Sequence, residues 1–303
     1  MNVGVIGGSG FIGSHLVDKL LEHGHEVTVF DIKKPHRDDV AHIFIDITDL
    51  HKTTVALTGY FDVIFHLAAM ADVNDVYRNP VESTIVNVVG VANVLEAARR
   101  NGIPRVILAS TTWVYDLCPE GENSEDTPFL AGRANHIYTS QKIAAELLCH
   151  SYRKMYGLNF TILRYGIPYG PRARGGTVLA TFVQRAFRGE PLIIFGDGSQ
   201  FRNFIYVEDL AEGNVAALKE IAVNKTYNLE GKRPVTVREV AEVVRKYVGD
   251  VRIEYREPRE GDFPGRIVSC EKAKQELGWE PKIDFEEGAR RYIEWYKKYV
   301  LKI

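Results

Sequence analysis

The fold is decided by the stretch Gly7-Gly8-Ser9-Gly10-Phe11-Ile12-Gly13. A short apolar run at residues 3–6 precedes it and predicts a buried strand, and an apolar stripe of helical period follows over residues 11–23. The spaced glycines permit a tight turn, close approach of the backbone to a pyrophosphate, and close packing of the helix on the sheet. The helix N-terminus offers free N–H groups to an anion. This strand-turn-helix context makes a glycine turn without a ligand the weaker alternative, and it predicts a dinucleotide site containing Gly7, Gly10, Phe11, Ile12 and Gly13.

Two acidic residues follow the next predicted strands, at residues 26–30 and 41–45. Asp31 is placed to accept hydrogen bonds from the adenosine ribose hydroxyls, and its carboxylate would repel a 2′-phosphate, which favours NAD over NADP. Lys33 and Lys34 are nearby cations that could accommodate that phosphate, but solvated loop lysines explain them better. Asp46 fits an adenine contact and a helix N-terminal signal equally well. The neighbouring Ile32 and Ile47 are assigned to the same cofactor site.

Strand and helix patterns alternate through the first half of the chain. Further strands are predicted at residues 63–67, 105–109 and 159–164, and helices at 49–57, 81–100 and 139–156. Near-continuous apolar strands separated by helices indicate an α/β, Rossmann-type, doubly wound parallel sheet. After residue 165 glycine-rich turns break the pattern, and later helices fit 207–220, 236–248, 271–277 and 285–299. We expect a smaller mixed α/β C-terminal substrate lobe at about 167–202 and 230–303, beside a cofactor domain at 1–166 plus about 203–229.

Bulk composition excludes several functional classes. The 303 residues carry a formal net charge of −2, which gives no support for binding to nucleic acid or membrane. No apolar run approaches the ~20 residues that a membrane helix needs. The three cysteines, Cys118, Cys149 and Cys270, are spaced for neither a metal site nor a disulfide framework. We therefore expect no bound metal and a reducing, cytoplasmic location.

A tyrosine and a lysine stand four residues apart in Tyr138-Thr139-Ser140-Gln141-Lys142. On a helix these two side chains share one face. The lysine ammonium, with a nicotinamide cation nearby, is expected to lower the tyrosine pKa, so that the phenol can take a proton from a sugar hydroxyl. Lys142 can also bond the nicotinamide ribose. A hydroxyl of Ser110-Thr111-Thr112, at a strand end, can hold the substrate oxygen.

Together these motifs resemble the extended short-chain dehydrogenase/reductases, and most of all the UDP-glucose (UDP-galactose) 4-epimerase-like sugar-nucleotide enzymes. The resemblance extends over nearly the whole chain. It includes Phe65-His66-Leu67-Ala68-Ala69, Asn87-Val88-Val89-Gly90, Leu163-Arg164-Tyr165, Tyr169-Gly170-Pro171-Arg172, Gly196-Asp197-Gly198 with Arg202, Gly261-Asp262 and Leu277-Gly278-Trp279.

The resemblance implies NAD-dependent epimerisation at C4 of a UDP-sugar through a transient 4-keto intermediate. It makes Thr111, Tyr138 and Lys142 the catalytic residues, and it places Arg202, Arg259 and Asp262 at the substrate, where arginine forks suit a diphosphate. The long helices at 81–100 and 139–156 would form a homodimer contact. The cofactor would be lined by Leu67, Ala68, Ala69, Asn87, Ser110, Tyr138, Lys142 and Tyr165.

The chain departs from the family pattern at several positions. Ile167 replaces an asparagine that would hold a phosphate, and Asp116 replaces a glycine. Thr112 and Trp113 occupy the positions of an acid pair that dehydratases use, which argues against dehydration by that route. Arg266 would suit a uronic acid, although a surface arginine is the preferred interpretation. The alternatives are another reaction of these enzymes on a nucleotide sugar (dehydration, reduction or uronic-acid epimerisation) and a non-catalytic NAD-binding regulator.

Overall fold

The computed structural model describes residues 1–173, 175–258 and 265–303. Helices of the described residues are, in chain order, α1 (Phe11–Glu22), α2 (Leu50–Ala56), α3 (Val73–Arg78), α4 (Pro80–Thr84), α5 (Gly90–Arg100), α6 (Ile137–Tyr156), α7 (Val178–Phe187), α8 (Val207–Ala216), α9 (Val237–Val248) and α10 (Phe285–Trp295). Strands are β1 (Asn2–Ile6), β2 (Glu26–Asp31), β3 (Ala41–Phe44), β4 (Val63–His66), β5 (Arg105–Thr111), β6 (Glu122–Asn123), β7 (Asn159–Tyr165), β8 (Ile167–Tyr169), β9 (Leu192–Phe195), β10 (Phe201–Arg202), β11 (Phe204–Tyr206), β12 (Lys225–Leu229), β13 (Val235–Thr236), β14 (Ile253–Arg256) and β15 (Ile267–Val268).

A seven-stranded sheet forms the centre of the molecule, in the order β12-β7-β5-β4-β1-β2-β3. Every neighbouring pair in it is parallel. From β1 the chain first builds the sheet outwards to β2 and β3, and then crosses back to add β4 on the other side of β1. This change of direction between β1 and β4 leaves a crevice at the carboxyl ends of the strands. This confirms the predicted doubly wound parallel sheet.

Apolar side chains bury both faces of the sheet. One cluster gathers under α1 and α8, and a second lies under α5 and α6 on the opposite face. A third cluster joins α7, α9 and α10 to β9 and β11, apart from the main sheet. The sheet therefore has helices on both faces, and the later part of the chain builds a core of its own.

The helix at residues 80–100 changes pitch along its length. Ile85–Val89 is π-helical between α4 and α5. Its 21 residues are long and apolar enough by composition to cross a membrane, which corrects the expectation that no run approaches that length. Half of its most apolar window is buried inside the protein, and a core helix passes the same test.

The least predictable segment lies between residues 166 and 202, where the sequence indicated loops and turns. It contains α7, capped by the Thr177 hydroxyl, which accepts a hydrogen bond from the Ala180 N–H, and strand β9, which pairs with β14. Strand β12 was not predicted either. Lys225, Thr226 and Asn228 interrupt its apolar pattern, yet the strand joins the main sheet beside β7. Pairing with distant strands overrode weak local signals in both cases.

Candidate active site

The glycine turn adopts the shape that its spacing predicts. Gly7 has a φ of +83°, which favours glycine, and its N–H donates to the Phe30 carbonyl at 2.8 Å. A Cβ on Gly7 would lie 2.5 Å from the Ala68 nitrogen, and one on Gly13 would lie 2.1 Å from the Gly7 carbonyl oxygen. The turn, the start of α1 and the loop after β4 therefore pack too closely for side chains, which leaves backbone facing a ligand.

Asp31 is held rigidly at the end of β2. Its Oδ2 accepts the Ser9 N–H at 3.0 Å and its Oδ1 accepts the Lys33 N–H at 2.9 Å. Asp46 accepts hydrogen bonds from the backbone N–H and the hydroxyl of Thr48, while the side chain that caps α2 belongs to Asp49. The helix-signal interpretation of Asp46 is therefore wrong.

A cavity of about 1050 Å³ opens at the carboxyl ends of the first four strands. It brings together most of the residues assigned to the cofactor: Gly7, Gly10, Phe11, Asp31, Ile32, Asp46, Ile47, Leu67, Ala68 and Ala69. It also includes residues that the sequence did not single out, among them Ser9, Met70, Pro80, Glu82, Ile85 and Arg172. The cradle of glycine backbone and the fixed Asp31 carboxylate fit the pyrophosphate and adenosine ribose of NAD.

Several residues assigned to the cofactor are not among the residues that line this cavity. Ile12 packs against the core, and Gly13 packs against the turn. Ser110 donates its hydroxyl hydrogen to Glu146, and the Tyr165 hydroxyl donates to Asn214. In the described structure these residues contact the protein and help to hold the elements around the site in place.

Asn87 links the cavity to the helix that carries the catalytic pair. Its side chain bonds both the N–H and the carbonyl of Met70, at 2.8 and 2.9 Å, and donates to Gln141 Oε1 at 2.8 Å. Gln141 in turn donates to the hydroxyls of Ser83 and Thr84, each at 2.9 Å. These bonds fix α6 against the cavity-lining helix. Sequence reasoning missed Gln141, whose only signal is its place between Tyr138 and Lys142.

Helix α6 places the predicted catalytic pair at the end of β5. Lys142 Nζ donates to the Ala109 carbonyl at 2.9 Å and lies 5.8 Å from the centre of the Tyr138 ring. The Thr111 hydroxyl accepts the Trp113 N–H at 3.2 Å, and the Trp113 ring stands edge-on to Tyr138 at 6.5 Å. Thr111, Tyr138 and Lys142 therefore converge on one strand end.

Burial governs the pKa values of this pair. It raises the pKa of Tyr138, and it lowers the pKa of Lys142 to about 8, against the opposing charge of Glu146. The expected lowering of the tyrosine pKa is thus not produced by the residues of the chain, because desolvation disfavours the phenolate. A role of Tyr138 as proton acceptor would need a further cation, such as the one that a bound nicotinamide would bring.

A buried ionic network joins α6 to β7 next to the predicted catalytic pair. Arg164 grips Glu146 with two donors, Nε at 3.0 Å and Nη2 at 2.7 Å, and its Nη1 donates to the Tyr115 hydroxyl at 2.9 Å. Glu146 is one turn after Lys142 on α6, and Arg164 lies in β7. The ion pair therefore fixes the position of α6, and with it that of Lys142, relative to the sheet. Its members are separated by too much sequence for a motif to reveal.

The substrate side is described in part. Arg202 lies in β10, half-buried, and its Nη1 donates to the Phe201 carbonyl at 2.7 Å. Asp116 is half-buried near the charges of Arg266, His136 and Arg202, and its burial raises its pKa against them. The other two residues assigned to the substrate, Arg259 and Asp262, lie outside the described residues.

Glu230 is a titratable residue that the sequence analysis missed. It follows β12, is 2% exposed, and burial raises its pKa to about 8, although the side chains of Thr112 and Asn203 hydrogen-bond its carboxylate. Its Oε1 has no hydrogen-bond partner among the described residues. Only the pairing of β12 with β7 brings this carboxyl beside the strand end that carries Thr111.

Comparisons with known proteins place the chain among sugar-nucleotide enzymes. Residues 3–229 match the model of the NAD dependent epimerase/dehydratase family. The chain is 32% identical to a putative UDP-glucose 4-epimerase of Methanocaldococcus jannaschii over 97% of both proteins, and 35% identical to UDP-glucuronic acid decarboxylase 1 of Arabidopsis thaliana over 99% of this chain and 71% of that protein. The structure of the UDP-glucose 4-epimerase of Thermotoga maritima with UDP-glucose superposes with a TM-score of 0.90 at 32% identity, over 99% of this chain and 100% of that one.

Proposed function

Because this chain belongs to the NAD-dependent epimerase/dehydratase family, we propose that it inverts C4 of a nucleotide-diphosphate sugar of the UDP-glucose/UDP-galactose type. The reaction runs through a transient 4-keto sugar that stays bound. The similarity to UDP-glucose 4-epimerases over nearly the full length of the chain supports this choice.

One observation carries the proposal. The Tyr138–Lys142 pair and the Thr111 hydroxyl meet at the end of β5, and Gln141 ties the same helix to the wall of the dinucleotide cavity. This arrangement supports a proton acceptor beside the cavity that would hold a hydride acceptor, which oxidation of a secondary alcohol requires.

Each residue has a defined part in the reaction. Thr111 hydrogen-bonds the sugar O4, and Tyr138 takes the O4 proton and later returns it. Lys142, fixed by the Ala109 carbonyl, stabilises the phenolate. Bound NAD supplies reversible acceptance of the C4 hydride. Arg202 is one of the cations that hold the diphosphate while the keto sugar turns its other face.

The test is direct. Purified protein is mixed with UDP-glucose or UDP-galactose, and interconversion is followed by NMR or ion-exchange chromatography. We expect an equilibrium mixture from either sugar, and a loss of about 100- to 10,000-fold in rate for Tyr138→Phe. Tyr152→Phe, on the same helix but about four turns away, is the matched control and should keep full activity.

Other outcomes would overturn the proposal in recognisable ways. Loss of water would mean dehydration, and a net change in nicotinamide absorbance would mean reduction. If no nucleotide sugar is converted and Tyr138→Phe leaves every measurable function unchanged, the chain is a non-catalytic NAD-binding regulator.

A second candidate is a reaction on a nucleotide-linked uronic acid. The 35% identity to a UDP-glucuronic acid decarboxylase favours it, together with the charge of Arg266 near Asp116. UDP-glucuronate is therefore included among the substrates tested. Formation of UDP-galacturonate would indicate epimerisation of the uronic acid, and release of carbon dioxide would indicate decarboxylation.

The same proposal includes a homodimer. The helix at residues 80–100 packs against α6, and both expose apolar side chains: Ile85, Val89, Leu147 and Met155. An apolar surface shared by two long helices favours helix-to-helix association of two copies.

A further inference from the structure

Glu230 is a buried carboxyl group that the proposed reaction does not use. It follows β12, is 2% exposed, and its Oε1 has no hydrogen-bond partner within residues 1–173, 175–258 and 265–303. A buried oxygen without a partner costs stability, so filling a core does not account for a carboxyl group here. What the rest of this side chain contacts therefore matters.

The chain passes between the main sheet and the third apolar cluster close to Glu230. Strands β7 and β12 belong to the main sheet, whereas β8, β11 and β13 contribute side chains to the third cluster. The chain leaves the main sheet at Gly166, between β7 and β8, and again at Glu230, after β12. Asn203 precedes β11, whose side chains alternate between the main core and the third cluster.

These three points of passage lie against one another. The Gly166 N–H donates to the Leu229 carbonyl, and the Ile167 N–H donates to the Asn203 carbonyl, each at 2.9 Å. A Cβ on Gly166 would lie 2.7 Å from that Asn203 oxygen and 3.3 Å from Glu230 Cγ, so only a glycine lets both neighbours approach. The Glu230 side chain thus lies where the three segments meet.

The carboxyl group bonds across this junction. Its hydrogen-bonding neighbours are the side chains of Thr112 and Asn203. The Thr112 hydroxyl donates its hydrogen to the Tyr165 carbonyl at 3.2 Å, so its oxygen offers Glu230 lone pairs and accepts a carboxyl O–H. Burial raises the pKa of Glu230 to about 8, so that proton is present at neutral pH.

Both neighbours stand next to residues of the proposed substrate site. Thr112 follows Thr111, whose hydroxyl is proposed to hold the sugar O4, and Asn203 follows Arg202, one of the proposed cations for the diphosphate. Glu230 therefore joins the segment at the sugar end of the substrate to the segment at its diphosphate end.

We propose that Glu230 is a positioning residue that fixes the distance between the Thr111 hydroxyl and the Arg202 guanidinium. That distance sets where C4 of a bound nucleotide sugar lies relative to the catalytic strand end, and it selects sugars whose C4 is the right distance from the diphosphate. The inference rests on the proposed function and adds a residue to its substrate site. Small displacements of reacting groups lower the rate strongly, so loss of this link is expected to affect turnover.

Two replacements of Glu230 separate its bonds from its bulk. Glu230→Gln keeps a donor and an acceptor at the same reach, whereas Glu230→Met keeps the length but removes both bonds, and with them the unpartnered oxygen. Cys270→Ala is the matched control. This half-buried thiol, whose pKa is raised by burial and by the charge of Glu230, is a neighbour of that carboxyl group, and its removal leaves the bonds to Thr112 and Asn203 in place.

Turnover of UDP-glucose, the affinities for UDP and NAD, and the unfolding temperature are measured at neutral pH on the full-length proteins. For Glu230→Met we expect kcat to fall on the order of 10- to 100-fold, with affinities changed by less than about threefold. Its unfolding temperature should equal or exceed that of the wild type, because no buried oxygen is left without a partner. Glu230→Gln and Cys270→Ala should keep kcat within about threefold of the wild type.

Hydrogen exchange of the backbone amides at Thr112–Leu117 and in β11 is followed on the same proteins, because it reports the link whatever reaction is catalysed. Exchange should be faster in Glu230→Met and unchanged in Glu230→Gln and Cys270→Ala. If Glu230→Met does not fold, Thr112→Val takes its place, since it removes the oxygen that accepts from Glu230.

Unchanged exchange, or unchanged kcat, in the variant that lacks the link would overturn the proposal. Equal losses in Glu230→Gln and Glu230→Met would overturn it as well, because glutamine keeps both bonds. If the wild type converts no nucleotide sugar while exchange still responds to Glu230→Met, the proposed function fails and the link between the two segments stands.

Discussion

In the proposed reaction the charge of Lys142 stabilises the Tyr138 phenolate, and the surroundings of Lys142 set the pH range in which that charge exists. It faces Tyr138 and Glu146 on its own helix and His66 at the end of β4. Burial lowers the pKa of Lys142 to about 8, so the ammonium is present below that pH and is lost above it. We expect turnover to fall as the pH rises through about 8.

Glu146→Gln should move this alkaline limb to lower pH, because the carboxylate that opposes the lowering is gone. The measurement is kcat against pH. The control is Ser110→Ala, which removes a hydrogen bond to Glu146 but leaves the charge of Glu146 in place. The alkaline limb of this variant should therefore lie at the same pH as that of the wild type. An unshifted limb in folded Glu146→Gln protein would show that Glu146 does not act on Lys142.

Glu230 predicts a pH dependence of stability. Burial raises its pKa from 4.5 to about 8, so the folded state keeps a proton that the unfolded state releases between these values. The contribution of protonated Glu230 to the free energy of unfolding is fully present below pH 4.5 and is lost as the pH rises towards 8. Glu230→Gln, which imitates the protonated acid, should raise the free energy of unfolding at pH 8 by roughly 2–4 kcal/mol.

Chemical denaturation at pH 5 and pH 8 checks this prediction. Wild type and Glu230→Gln should differ little at pH 5 and clearly at pH 8. Equal stabilities at both pH values would mean that the carboxyl ionises freely in the folded protein.

At the scale of elements, the β1–α1 turn needs glycine for two different reasons: Gly13 allows close packing, and Gly10 leaves space for the ligand. A Cβ on Gly13 would lie 2.1 Å from the Gly7 carbonyl oxygen, whereas one on Gly10 would lie 3.2 Å from the same atom, a tight contact that a shift of a few tenths of an ångström relieves. Helix α1 therefore cannot keep its place in Gly13→Ala, but Gly10→Ala requires only a small adjustment of the turn.

We expect Gly13→Ala to lower the unfolding temperature and abolish NAD binding together. Gly10→Ala should lower the unfolding temperature much less than Gly13→Ala and should lose NAD affinity, because the methyl group occupies the space of the pyrophosphate. Thermal unfolding with and without NAD measures both. Equal destabilisation by the two variants would contradict this division of roles.

At the scale of the whole molecule, the exposed apolar faces of α6 and the helix at residues 80–100 predict association. Leu147 is 60% exposed, and a lysine there would bury a charge in the contact between two copies. We expect wild-type protein to sediment as a dimer of the 34.2 kDa chain and Leu147→Lys as a monomer. Tyr255→Lys, 53% exposed on β14, is the control and should remain dimeric. A monomeric wild type would exclude the dimer.

The sequence by itself determined the parts of this protein whose signals are local. The turn from Gly7 to Gly13, the carboxylate of Asp31 and the four-residue spacing of Tyr138 and Lys142 are written in adjacent positions, because a tight turn and one helical turn each involve only near neighbours. The doubly wound sheet follows from alternating strands and helices, since right-handed crossovers leave few other arrangements.

Only the tertiary structure decided which distant residues meet. It placed Arg172 on the cavity wall, paired Glu146 with Arg164 and buried Glu230 beside Thr112. It also gave Ser110, Asn87 and Tyr165 the partners Glu146, Gln141 and Asn214. Burial and charge pairing depend on every strand that packs nearby, so the pKa of Tyr138 is raised where local spacing predicted that it would fall. Hydrophobic pattern fixes the order of the layers, but desolvation inside them is set by contacts between residues that the sequence holds far apart.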